Sequence, residues 1–351
     1  MNRDYRIDIL RIIALFFVVF LHYWSFQGYY QEPFIGIKQF LLSLARNFSV
    51  ICVPLFLIIT GYLCVNKTLI KGYVFGIKKV YFIYLICSIL IFFAEEVHHR
   101  GQVVIFDELL KILCFKGSGY GWYVEMYIGL FFIIPLLNIC WKNLNHKYII
   151  FAVAVLTIVP DSLNWLKAEN GLIVFSDVYN KIFPEFWVRI YPVFYYFIGC
   201  CFSEKKINIG IINSVILIIF ADLAISCVCY ISAQNSVFVW GKWQEFSSIF
   251  VVIMSICFAN IILHLDFKPT NNSTKKLMVV LSDCVYGAYL LSYLFDNAVY
   301  FLGESVIGLS PKILWTSFLY VPTILILSLF GAYVVLNVYK LIFVRLQERK
   351  G

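Results

Sequence analysis

The run from Ile7 to Phe26 is long and apolar enough to cross a bilayer, yet it carries Asp8, Arg11 and His22. About 20 apolar residues in a helix span roughly 30 Å of hydrocarbon. At about 100° per residue, Arg11 and His22 return to within about 20° of each other, and Asp8 lies about 60° from Arg11. The three therefore share one helix face. A rise of about 1.5 Å per residue separates Arg11 from His22 by about 16 Å along the axis, so one marks the membrane edge and the other lies past the middle. Ionisable groups are costly in lipid, and those found there face a bundle interior or a water-filled cavity and mark function by default. A plainer reading stands beside this one: Arg11 snorkels to the headgroups and His22 is a structural hydrogen-bonder.

The remaining sequence repeats the membrane signal. Of 351 residues, 62% are hydrophobic and 14% charged, against about 25% charged in soluble domains. Ten apolar stretches fall near 8–27, 46–65, 74–94, 122–140, 148–160, 187–203, 209–232, 246–265, 278–302 and 314–341, with the second able to begin near Phe34. They predict an all-α polytopic protein, with residues 1–351 as one integral membrane domain in a single bundle. The first run is too long for a removable signal peptide and lacks the small-residue cleavage pattern. With ten crossings both termini share a side. Most of the 28 Lys and Arg residues fall on that side, so the termini are expected to be cytoplasmic in a cell membrane and His22 to lie in the outer half of its helix. The net charge of +8 is thereby a matter of topology, and no nucleic-acid partner is implied. Most of the 11 cysteines lie in apolar runs, where they act as small hydrophobes. Their odd number and scatter argue against a disulfide framework, and none has metal-ligand spacing with His.

Three further stretches stand out. The second span ends Val53-Pro-Leu-Phe-Leu-Ile-Ile-Thr60-Gly61-Tyr62, where Pro54 bends a helix and Thr60-Gly61 permits close backbone approach. The fourth opens Gly121-Trp122-Tyr123-Val124-Glu125 and runs to Pro135. Trp122 and Tyr123 suit interfacial anchoring, whereas Glu125, about one turn deep, is costly unless paired. His22 and Glu125 lie about 9 and 6 Å inward from the outer helix ends, and a carboxylate beside an imidazole orients it. The ninth contains Gly287-Ala-Tyr289-Leu-Leu-Ser292. Asp222, Asp296 and His264 read as structurally paired. The outer loops near 95–121 and 161–186 carry His98, His99, Arg100, Asp107, Glu108, Asp161 and Asp177, charges that solvation alone accounts for.

Taken in order, these segments resemble the acyltransferase-3 family of integral membrane acyltransferases. The opening Asp8-Ile-Leu-Arg11, ten intervening residues and His22 look like its first signature. Thr60-Gly61-Tyr62 is similar to its Phe-x-x-Ser-Gly-Tyr segment with a hydroxyl kept, and the Trp-Tyr opening of span four is a further match. Ser292 departs from a late segment that often ends in His. The resemblance implies transfer of an acyl group, usually acetyl, from acetyl-CoA to a hydroxyl of a cell-envelope carbohydrate or lipid-linked sugar. No permanently bound cofactor and no metal is called for. Such chemistry needs a base for the hydroxyl proton and donors for the oxyanion. His22 is the candidate base or acyl relay, with Glu125 as its orienting partner. Arg11, Lys78 and Lys79 are candidates for the donor phosphates, although positive-inside bias also accounts for the lysines. Asp8, Trp122 and Tyr123 are the candidate substrate contacts, near an aromatic group that includes Tyr120, Trp187 and Tyr191. The rival class is a secondary transporter or flippase, but the matched pair of interrupted helices common in transporters is not visible.

Overall fold

The computed structural model describes residues 3–70, 72–99, 105–117, 119–169, 172–175, 182–233 and 235–348. Its helices are α1 (Tyr5–Gln27), α2 (Gly36–Ser49), α3 (Cys52–Cys64), α4 (Lys78–His99), α5 (Ile105–Leu113), α6 (Trp122–Asn143), α7 (His146–Leu163), α8 (Tyr191–Ser203), α9 (Ile211–Ala233), α10 (Ile249–Leu263), α11 (Asn272–Ser305) and α12 (Ser317–Glu348). Nine stretches among the described residues are helical, long and apolar enough to cross a bilayer, and the shorter Val188–Ser203 makes up the expected ten. The second runs from Gly36 to Cys64, earlier than residue 46, because α2 and α3 follow each other with only Val50 and Ile51 between them. One short antiparallel hairpin, β1 (Leu166–Glu169) and β2 (Leu172–Phe175), interrupts the all-helical pattern within the loop expected after span five. Arg100 and Asp177 lie outside the described residues.

The chain forms two compact units, one of residues 1–67 and 136–268 and the other of 68–135 and 269–351. In the first, α1 is delimited at both ends by local chemistry. Asp4 caps it by accepting from the Arg6 amide at 3.1 Å, and Gly28 ends it with φ 87°, a left-handed conformation that glycine adopts without penalty. The Asp4 carboxylate also receives the Arg6 guanidinium at 2.7 Å and the Tyr62 hydroxyl at 2.9 Å. The hydrogen bonds from Arg6 hold its pKa below the ordinary carboxylate range.

α3 crosses α8 at unusually close range. A Cβ on Gly61 would sit 1.9 Å from the Tyr196 carbonyl oxygen, and one on Gly199 would sit 2.1 Å from that of Ile58. Lipid provides no hydrophobic drive between helices, so small residues that let backbones touch supply the association. Thr60 donates back to Phe56 O at 2.8 Å. The Thr-Gly-Tyr segment thus satisfies its hydroxyl, permits the crossing and anchors the start of α1. α9 shows the bilayer's imprint from outside: Ile212, Ile216, Phe220 and Leu223 are exposed, while Ser214, Ala221, Ile225 and Ser226 turn inward.

In the second unit, Pro135 lies inside α6 and has no amide hydrogen for the carbonyl of Phe131. Tyr73 fills the gap, donating to Phe131 O at 2.8 Å with its ring stacked 4.6 Å from that of Phe131. α11 and α12 pack closely through Gly287 against Ala332 and Gly331 against Leu291. Tyr289 donates to Tyr120 O at 2.6 Å, and Tyr120 donates to the buried Asp296 at 2.6 Å. Burial and the Asp296 charge push the Tyr120 hydroxyl far above its usual pKa, which keeps it a donor. Ser292 is buried and bonded to Tyr289 O at 2.8 Å. The pairing expected for Asp296 is therefore present, as is that of His264, whose Nδ1 lies 2.9 Å from Asn260 O.

Gly61→Ala is expected to lower stability by about 2 kcal/mol or more, since a backbone oxygen must move to admit even a methyl group. Thermal unfolding of the detergent-solubilised protein measures this, and an unchanged midpoint would mean that the α3–α8 contact is not a stability determinant.

Candidate active site

The last turns of α1 bring His22 to the wall of a cavity of about 540 Å³ within the first unit. Its other walls come from four further stretches. The turn after α1 supplies Tyr30, α2 supplies Arg46 with Val50 just beyond its end, and Trp165 follows α7. The segment between α9 and α10 supplies Trp240 to Phe246, including Lys242 and Glu245. This segment can bend tightly because Trp243 folds back over Gly241, where an added Cβ would lie 2.3 Å from the indole. His22 is half-buried. The cavity volume falls within the range of roughly 300–1,000 Å³ common for small-molecule sites, and its aromatic walls with a few ionisable groups match their chemistry.

Arg46 is the buried cation of this site, only 3% exposed. Its guanidinium carbon lies 5.8, 5.1 and 5.2 Å from the ring centres of Tyr30, Phe238 and Trp240. Its Nε donates to the Tyr30 hydroxyl at 3.3 Å and its Nη1 to Asn47 Oδ1 at 3.1 Å. Asn47, itself fully buried, donates in turn to Ser226 Oγ of α9 at 3.0 Å. A chain of side-chain amide and hydroxyl groups thus restrains the guanidinium. Cation–π contacts of this kind contribute about 0.5–2 kcal/mol each and supply no hydrogen-bond acceptor.

Lys242 is held differently. Its ammonium lies 3.4 Å from the carboxylate of Asp161, which also accepts from Ser247 Oγ at 2.5 Å. Asp161 is 2% exposed. The solvated loop charge expected from the sequence is instead a buried anchor at the end of α7, because Lys242 and Ser247 come from the far side of the chain to meet it. The neighbouring Ser162 accepts from the Ile249 amide at 3.0 Å, tying α7 to the start of α10.

The other sequence candidates are placed as follows. Asp8 is buried and forms a two-pronged ion pair with Arg3 at 2.8 and 2.9 Å, so its carboxylate is engaged at the start of α1 and does not line the cavity. Arg11 is half-buried on the same helix and is also absent from the cavity wall. Lys78, Lys79, Trp122, Tyr123 and Glu125 belong to the second unit. Lys78 and Lys79 are exposed, with the Lys78 ammonium 4.2 Å from the ring centre of Phe75. Trp122 is exposed, whereas Tyr123 is buried with its ring 5.6 Å from that of Tyr289. Glu125, expected to be sheltered and paired, is exposed in the first turn of α6. That position suits an anion because the helix N-terminus carries partial positive charge. The carboxylate that shares a cavity with His22 is Glu245.

Arg46, Lys242 and Glu245 are the residues the sequence reading passed over. Arg46 carried a usable signal: it is the kind of charge, set inside an apolar stretch, that singled out Arg11 and His22. Lys242 and Glu245 precede an apolar run and read as ordinary flanking charges.

A multi-pass helical membrane protein with a histidine and a buried arginine on an aromatic-walled cavity is the class that fold and site define. Within it, residues 4–337 match the family model described as acyltransferase domain, which covers nearly the whole chain and both compact units. The chain belongs to the acyltransferase-3 family, and with it goes acyltransferase activity. Comparison with curated proteins and with solved structures gave no match.

Asp161→Asn removes one charge of a largely buried pair and is expected to cost about 1–3 kcal/mol. The loss is read as a lower unfolding midpoint in detergent, with Lys242→Met in the same background recovering part of it. Equal stability of wild type and Asp161→Asn would show that Lys242 is held by other contacts.

Proposed function

We propose that the protein transfers an acetyl group from cytoplasmic acetyl-CoA to a hydroxyl of a cell-envelope carbohydrate or lipid-linked sugar, with His22 as the base. The observation that carries this reading is the position of His22 on the wall of the aromatic cavity, in a chain of the acyltransferase-3 family. The imidazole removes the proton of the acceptor hydroxyl as its oxygen attacks the thioester carbonyl. The tetrahedral intermediate then collapses, the carbon–sulfur bond breaks, and the proton passes from His22 to the departing thiolate. In a covalent variant the imidazole nitrogen first attacks the thioester, the carbon–sulfur bond breaks to release the thiolate, and the sugar hydroxyl then takes the acetyl group from the imidazole while its proton goes to the thiolate.

Two features support an acceptor on the outer face. The bias of Lys and Arg toward the side of the termini favours a cytoplasmic N-terminus. The cavity is built at the end of α1 remote from that terminus, from the turn after α1 and the connection between α9 and α10. Tyr30, Trp165 and Trp240 put aromatic rings on the wall, a lining suited to a pyranose. On the donor side, Arg11 with Lys78 and Lys79 remains our assignment for the phosphates of acetyl-CoA, resting on charge and on the expected inner location.

The test uses membranes carrying the protein, radiolabelled acetyl-CoA and an envelope glycan fraction. His22→Ala is expected to reduce label transfer by about 100-fold or more at unchanged abundance. Transfer that survives this substitution intact would remove His22 from the chemistry, and no transfer from wild type with any acceptor would favour a transporter. Comparing two carboxylate variants identifies the partner of the imidazole. Glu245→Gln is expected to lower turnover by about tenfold and Glu125→Gln by less than about twofold. The opposite ranking would restore Glu125 to that role.

A further inference from the structure

We infer that the acceptor is an acidic sugar, and that Arg46 selects it by gripping a carboxylate or phosphate on the ring. This rests on the proposed reaction and concerns which hydroxyl-bearing compounds enter the cavity. Arg46 is 3% exposed and lines the same cavity as His22. Among the described residues no carboxylate lies within ion-pair distance of it, and Glu245 on the same wall interacts with it only through space. Lys242 is matched by Asp161 at 3.4 Å, while Glu245 stands exposed at the wall.

The guanidinium has five N–H donors in a fork that fits two oxygens of one anion. Two of them are committed, Nε to Tyr30 and Nη1 to Asn47. Nη2 donates to no protein group among the described residues. The rings of Tyr30, Phe238 and Trp240 attract the charge but accept no conventional hydrogen bond. Asn47 accepts from the guanidinium at 3.1 Å and is itself held by its 3.0 Å bond to Ser226. A buried cation fixed in this way, with donors left over and on the wall of a cavity, is built to receive an anion. A neutral sugar would leave those donors unmatched, and a site shaped for a polar partner discriminates strongly against an analogue that lacks it.

An anion in this cavity has two sources, the acceptor and the phosphates of the acyl donor, and the assay separates them. Binding to the purified full-length protein in nanodiscs is measured for glucose against glucuronate, galactose against galacturonate, each parent sugar against its 6-phosphate, and coenzyme A. At least one acidic member is expected to bind about tenfold or more tightly than its neutral parent. In Arg46→Gln that preference shrinks to within about twofold with coenzyme A binding unchanged, and Arg46→Lys retains part of it because the charge stays while the fork is lost. Acidic and neutral members binding alike to wild type would overturn the proposal without any variant. So would an acid preference that persists in Arg46→Gln, or a loss of coenzyme A binding in its place, which would assign the anion to the donor. Because the readout is binding, tight acidic binding without acetyl transfer would count against the proposed reaction and leave this inference standing. Efficient acetylation of neutral sugars only would do the reverse.

Discussion

The constraint that governs this protein is that hydrocarbon offers no partner to a stray backbone carbonyl or amide, each of which costs several kcal/mol if left alone there. Two irregularities in the helices show how such a group is met by a side chain. Pro135 withholds a donor from Phe131, and Tyr73 provides one. The end of α3 leaves the carbonyls of Cys64 and Lys67 exposed to the interior, and the amide of Asn138 bridges both at 2.8 and 2.7 Å while accepting from Tyr196 at 2.7 Å. The same bookkeeping extends to charges, with Asp8 matched by Arg3 and Asp161 by Lys242. Against this background Arg46 is conspicuous, because rings and neutral hydrogen-bond acceptors surround it where the other buried charges have a carboxylate or cation in contact.

Tight helix contact does the rest of the structural work. Gly61 and Gly199 bring α3 and α8 into backbone contact, and Tyr62, next in sequence, reaches Asp4 at the origin of α1. A short segment thus couples three helices of the first unit. This gives the Thr60-Gly61-Tyr62 stretch a mechanical reason to exist that involves no reacting group.

The crossings were legible in the sequence because most of the apolar runs are about as long as the bilayer is thick, a condition that length and hydropathy test directly. His22 was legible for a related reason, being an imidazole where only hydrocarbon is expected. The hairpin Leu166–Phe175 was not, since four-residue strands carry too little periodicity to register. The exposure of Glu125 was not legible, because depth counted along a helix does not tell whether that turn is covered. The rest of the cavity escaped detection for a different reason. Residues 22, 46, 165 and 240–246 meet only after α1, α2, α7 and the α9–α10 connection have assembled, and one sequence read by itself gives no pairwise signal for such meetings.

The break between α2 and α3 at Val50 and Ile51 divides one long hydrophobic stretch into two parts with separate duties. The later part is committed to scaffold through Gly61, whereas the earlier part presents Arg46 to the cavity. Substitutions that retune the cavity mouth, in α2 or in the Trp240–Phe246 segment, leave the α3–α8 seam untouched. A lineage of such proteins is thereby free to diversify what its cavity accepts while inheriting the same frame unaltered.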